Sequence, residues 1–329
     1  MDLLCIYQLA FFHLFRLSLA AADKNWERHG SGETKEMPSK AEITSLSGFF
    51  GELEKAKLDN GRAILYRGHS QTSYVLKPSL FRTQAQRKDE KNIFRELISV
   101  QPSAFAEDRN VFEQLVRMQH FSLPTRLLDL TYNPLVALFF ACETHHDKDG
   151  ALVTLSTPNT KVRYFDSDTV SCLANLSFLK GNERDELRRK QTKVALKTCQ
   201  AGKRLLQFIR AEKSYFLPEI EPSDLNSVQM VRPKQTNPRI IAQQGAFLLF
   251  GLVSELKKAN AYQIRVSEMT IPASAKPKIL RDLDRVNINR AALFPEVESA
   301  AKYIMSKLVP VEGGGEQEAA KTPKTRKKA

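Results

Sequence analysis

The segment that decides the fold is Met118-Gln119-His120-Phe121-Ser122-Leu123-Pro124-Thr125-Arg126-Leu127-Leu128-Asp129-Leu130-Thr131-Tyr132-Asn133-Pro134, followed by Leu135-Val136-Ala137-Leu138-Phe139-Phe140-Ala141-Cys142. Its first half gathers Gln, His, Thr, Arg, Asp and Asn, and its second half is apolar throughout. Asn133 before Pro134 marks a helix start, because the Asn side chain accepts an orphan amide and proline at N1 has none to orphan. A run without a polar face belongs to a helix buried all round, expected over 134–144. Polar side chains leading into its N-terminus face free amides and the positive end of the dipole, which suits an anionic or carbonyl-rich ligand. An architectural reading stands beside this one. Arg126 and Asp129, three apart, would pair, and Gln119 and His120 would satisfy buried backbone groups.

A second polar knot lies upstream, where Ala63-Ile64-Leu65 runs into Tyr66-Arg67-Gly68-His69-Ser70. Together the two stretches resemble the FRG domain, a family named for an aromatic-Arg-Gly signature and carrying a Gln-His, Pro-Thr-Arg-Leu-Leu-Asp block downstream. The resemblance extends from about Phe49 to Met305. It includes Lys77-Pro78-Ser79-Leu80-Phe81-Arg82 and the later Pro238-Arg239 to Gln243-Gln244-Gly245-Ala246-Phe247. Tyr66 stands where the name implies Phe or Trp, Leu130 where Trp is common, and Ser122 where the family often has Gly. Serine at 122 argues against a strained glycine turn there.

The chain has 329 residues, 42% of them apolar and 19 of them Phe, enough for one large domain or two. Its formal charge of +13 points to an acidic partner without naming it. Four cysteines, Cys5, Cys142, Cys172 and Cys199, lack metal-ligand spacing, so reduced thiols, no bound metal and a cytoplasmic location are expected. Residues 1–36 are a doubtful extension: the apolar run Leu3–Ala22 is interrupted by Gln8, His13 and Arg16 and so falls short of an uninterrupted membrane span. An initiator at Met37 is the expectation. The domain proper runs over 42–309, and 312–329 is a basic tail expected to be disordered.

Strands and helices alternate without a βαβ rhythm, which favours an α+β fold with a mixed sheet core around the buried helix. Expected elements are a helix before Asp59-Asn60-Gly61, a strand over Arg62–Tyr66, a short strand at Tyr74–Leu76, and a helix broken at Pro102. A helix over Val111–His120 and strands at Ala151–Leu155 and Val228–Val231 follow. Asn237-Pro238 reads as a turn into a Gln-Gly strand, with Gly245 marking a bulge or a close backbone approach. Further strands at Tyr262–Val266 and Met269–Ile271 precede helices around Ile279–Leu283 and Val297–Leu308. Residues 157–237 form a helical insert. Between Lys180 and Lys213 it holds eleven Lys or Arg against four acids, a basic face that nucleic acid or an acidic protein would meet.

Glycine-rich phosphate loops, His-x-x-x-His pairs and Gly-x-Ser-x-Gly elbows are absent from the sequence. The order of an Arg-Gly strand, a Thr-bearing block entering a helix, and a Gln-Gly strand looks like the core of ADP-ribosyltransferases, in which early strands hold NAD and a later acid supports transfer. Gln243 or Gln244 occupies that acid's place. The resemblance therefore implies a nucleotide-handling, NAD-using effector of toxin or phage-defence type. Its candidate ligand-binding residues are Tyr66, Arg67, Gly68, His69, Gln119, Thr125, Arg126 and Asp129, with His120, Gln243 and Gln244 as candidate catalytic residues. One shared cleft is expected to hold Arg67, Gln119, His120, Thr125, Arg126 and Gln244. The alternative is a non-catalytic module that binds through the basic insert.

Overall fold

The computed structural model describes residues 41–55, 61–257 and 261–295. The amino-terminal extension, the helix expected over 297–308 and the tail lie outside them. Seven strands are β1 (Arg62–His69), β2 (Leu127–Thr131), β3 (Gly150–Pro158), β4 (Arg163–Tyr164), β5 (Val228–Arg232), β6 (Gly245–Phe250) and β7 (Arg265–Ile271). They form one sheet in the order β4-β5-β6-β2-β1-β3-β7, antiparallel except for the short β4–β5 pair. The fold is α+β with a mixed sheet, as expected.

The sheet is built from two halves. Pairing between β1 and β3 runs from Arg62↔Pro158 to His69↔Ala151, and β2 and β6 pair from Leu127↔Leu249 to Thr131↔Gly245. Between the halves, β1 and β2 share only Tyr66↔Thr131. The strands part beyond this pair.

Twelve helices occur among the described residues: α1 (Leu46–Lys55), α2 (Gln84–Val100), α3 (Val111–His120), α4 (Pro134–Cys142), α5 (Asp168–Ala174), α6 (Gly181–Arg188), α7 (Lys193–Thr198), α8 (Gln200–Glu212), α9 (Pro222–Leu225), α10 (Pro238–Ala242), α11 (Lys276–Arg285) and α12 (Arg290–Leu293). Helix α4 starts at the expected cap, with Asn133 Oδ1 accepting from the Leu135 amide at 2.9 Å. It ends at Cys142 rather than 144 because Glu143 already serves as its C-cap. Gly68 explains how closely it lies on β1: a Cβ there would stand 2.0 Å from the Ala137 carbonyl oxygen and 2.5 Å from the Ala141 amide nitrogen.

Several expectations are corrected. Residues Leu127–Thr131 are a strand, not part of a loop feeding the helix. Tyr74–Leu76 contributes one bridge, Leu76↔Leu256, rather than a strand. Asn237 caps α10 by accepting from the Arg239 amide at 2.8 Å, the same Asn-Pro device as at 133–134. Gly245 neither bulges nor admits a close neighbour, since a Cβ there would meet nothing nearer than 3.5 Å. Ser122 adopts φ 61°, so the left-handed turn exists without glycine. The segment 157–237 supplies β4 and β5 as well as helices. Its Leu173, Leu187, Leu205 and Ile209 share one apolar cluster with Phe112 of α3, Leu127 of β2 and Phe247 of β6. On the other half, α4 and α11 join Tyr66, Leu152 and Met269 in a second cluster.

Candidate functional site

A cavity of about 490 Å³ opens where β1 and β2 part. It is lined by Tyr66, Arg67, Gly68 and His69 of β1 and Asp129 and Thr131 of β2, with Phe140 and Glu143 from α4 and its cap. Parting strands leave ladder groups to be satisfied by other means. Arg67 does part of this: its Nη1 donates to the Asp129 carbonyl at 2.6 Å across the gap, and its Nε donates to His69 Nε2 at 3.2 Å. His69 Nε2 is thus an acceptor, which places the neutral ring's proton on Nδ1. Gln119 does the rest from α3, donating from Nε2 to the Leu127 carbonyl at 3.5 Å and to Asp129 Oδ2 at 3.0 Å.

Thr125 stands behind Gln119. Its hydroxyl donates to Gln119 Oε1 at 2.5 Å, which fixes the amide with its NH₂ toward the carboxylate. Thr125 and Gln119 therefore orient Asp129 into the cavity without lining it. Lys77, Arg82 and Arg239 also reach the cavity, so Arg67 belongs to a group of four cations facing two carboxylates. Burial pulls the Arg67 guanidinium below its ordinary range; Asp129 opposes this and Arg82 adds to it. It stays cationic, as arginine does in proteins. At the other end, burial pushes the Glu143 carboxyl up, against the pull of its ion-pair partner Arg290 and of Arg239.

The expected shared cleft is assembled only in part. Arg67 lines the cavity; Gln119 and Thr125 support it from behind; His120, Arg126 and Gln244 do not line it. Arg126 is 1% exposed and pairs with Glu90, not Asp129, its Nε and Nη2 each 2.7 Å from a carboxylate oxygen. Its Nη1 donates to the Phe250 and Gly251 carbonyls at 2.8 and 3.0 Å, so four of its five N–H donors are spent inside the core. Gln244 sits at φ 46° and gives its carbonyl to the Tyr132 amide at 3.0 Å. Gln243 does reach the cavity, but its Nε2 donates to the Leu293 carbonyl at 3.0 Å. His120 ends α3, partly buried.

Glu143 was missed from the sequence. It follows an apolar helix with nothing local to mark it, and only the packing of α12 brings Arg290 to it. Lys276 was missed for the same reason. Fully buried, its ammonium donates to the carbonyls of Ser70 at 2.8 Å, His145 at 2.9 Å and Thr144 at 3.3 Å, tying the end of β1 to the exit of α4.

An Arg-Gly strand end, an Asp oriented by a Gln-Thr pair, and a glycine-seated helix form one unit, and residues 62–150 containing it match the family model of the FRG domain. This segment of the chain carries the FRG domain. The match closes at Gly150, short of the Met305 expected, and leaves the Gln-Gly strand outside it. No curated protein and no solved structure matches the chain. No helix among the described residues is long and apolar enough to cross a membrane.

Proposed function

We propose that the cleft between β1 and β2 binds an organic phosphate of the nucleotide class, with Arg67 as its anion anchor. The observation that carries this reading is the half-buried guanidinium of Arg67, which shares one cavity with Arg82, Lys77 and Arg239 against only Asp129 and Glu143. Charge-assisted bonds from guanidinium to phosphate are among the strongest a pocket can offer. Asp129, an acceptor-only carboxylate aimed by Gln119, suits paired sugar hydroxyls, and Tyr66 and Phe140 give the cavity apolar walls. A volume of about 490 Å³ lies within the range of small-molecule sites.

NAD fits this donor set: Arg67 and Arg82 would hold the pyrophosphate and Asp129 a ribose. When bound, NAD supplies a glycosidic bond open to transfer. Glu143, with its raised proton affinity, is the cavity carboxylate suited to proton transfer, whereas of the candidate catalytic residues named from the sequence, His120, Gln243 and Gln244, Gln243 alone lines the cavity. This keeps the wider reading, an NAD-using effector of ADP-ribosyltransferase type in toxin or phage-defence systems, as part of the proposal. The test is thermal melting with AMP, ADP or NAD at low and high salt. The expected result is a rise in Tm that survives high salt and is lost in Arg67→Leu. A chain that no nucleotide stabilises, or one stabilised equally after Arg67→Leu, would overturn it.

A further inference from the structure

A second concentration of positive charge lies away from the cleft, along the seam between α2 and α6. Lys88, Lys91 and Arg95 follow one another at helical spacing on α2, which places them on one stripe. The start of α6 packs against that stripe, a Cβ on Gly181 lying 3.8 Å from the Lys88 carbonyl oxygen. This contact brings Lys180 and the α8 residue Arg204 alongside. A hollow of about 150 Å³ between the two helices is lined by Arg87, Lys88, Arg184 and Arg188, with Asp185.

Much of the basic stretch singled out from the sequence is consumed internally. Arg184 is buried against Glu90 at 3.1 Å, and Arg188 pairs with Asp185. Lys193 pairs with Glu221, and Lys213 with Asp168. The α2 seam is different. Burial, and then Arg95, Lys180 and Arg204 as like-charged neighbours, hold Lys91 below the usual lysine range, with only Glu183 opposing. Glu183 is itself engaged, accepting from the Lys180 amide at 2.7 Å and pairing with Arg204 at 3.0 Å. One acid, Glu183, thus stands against the four like charges Lys91, Arg95, Lys180 and Arg204.

We propose that the stripe formed by Lys88, Lys91 and Arg95, together with Lys180, is a docking surface for the phosphate backbone of a nucleic-acid duplex. Its shape favours a linear polyanion over a compact one. The seven residue steps of α-helix from Lys88 to Arg95 span about 10 Å, the reach of roughly three phosphates along one strand. The stripe itself carries no aromatic side chain on which unpaired bases would stack, which favours duplex over single strand. Sequence-independent binding, lost steeply with salt, is the consequence.

The test is fluorescence anisotropy of a labelled duplex titrated with the full chain over a range of salt, comparing wild type with Lys88→Glu/Lys91→Glu/Lys180→Glu. Both proteins keep the Lys-rich sequence at 321–328, so a difference reports the seam. The expected result is a loss of more than about tenfold in affinity and a salt slope smaller by about 3, one for each lysine. The melting temperature should be unchanged or higher, because like charges have been separated. The gentler Lys88→Gln/Lys91→Gln/Lys180→Gln should lower affinity in the same direction if the reversed variant fails to fold. Equal affinity and slope in wild type and variant would overturn the proposal. So would the absence of duplex binding by the wild type at low salt, or displacement of the duplex by poly-glutamate of equal charge at equal concentration, which would mark an acidic-protein surface instead.

Discussion

Arg67 and Arg126 both lie in the segment that matches the FRG domain, one beside the cavity and the other in the core. Arg126 is enclosed with Glu90 in a pair whose side chains are 1% and 4% exposed, so Arg126→Leu leaves a buried carboxylate with Arg184, at 3.1 Å, as its remaining ion-pair partner. Its expected cost is about 3–5 kcal/mol in denaturant titration. Arg67→Leu gives up bonds to one carbonyl and one imidazole beside an open cavity, and is expected to cost about 1–2 kcal/mol, less than Arg126→Leu, while removing nucleotide binding. A large destabilisation by Arg67→Leu would make it a bolt and not an anchor. Ser122 offers a smaller test: at φ 61° an L side chain is strained, so Ser122→Gly should raise stability by up to about 1 kcal/mol in a thermal melt. The sequence suggested that position 122 had lost its turn because glycine was missing; the backbone kept the turn and accepted the strain. Arg126 was legible as polar and important but not as buried, since its partner Glu90 lies 36 residues upstream on another helix.

At the scale of elements, local chemistry was readable wherever it was self-contained. Asn133-Pro134 announced α4, and the apolar positions at 112, 115 and 116 announced α3, because caps and helical spacing are properties of a few neighbouring residues. The identical Asn237-Pro238 pair reads as a turn in the sequence, since only five residues of helix follow it before β6 begins. Two glycines separate what a motif looks like from what it does. Gly68→Ala sets a methyl 2.0 Å from a carbonyl oxygen of α4, and backbone on both sides cannot yield cheaply. The expected loss is about 3 kcal/mol or more. Gly245→Ala places its methyl 3.5 Å from the nearest atom and is expected to be neutral within about 0.5 kcal/mol. Chemical denaturation of the pair would decide, and the reverse ranking would show that α4 can shift off β1.

Across the whole molecule, the long-range assembly of the sheet was the least legible part, because strand order joins segments far apart in the chain. Segment 157–237, read as an insert, instead completes the core over β2 and β6. Cys172 lies in that core and Cys142 in the one over β1 and β3, and burial pushes both thiols up to about 12. Alkylation of either is therefore expected only through opening, and equal opening free energies at both would mark one cooperative unit. A faster Cys172 would mean that the helical side unfolds by itself. Between these two cores the sheet is joined by Tyr66↔Thr131 and by the reach of Arg67 to the Asp129 carbonyl. One guanidinium thus has two employers. A phosphate that drew Arg67 Nη1 off the Asp129 carbonyl would loosen the mend between half-sheets, so ligand uptake and the width of the gap would vary together, and the protein would register its ligand as a change in how tightly its own sheet is closed.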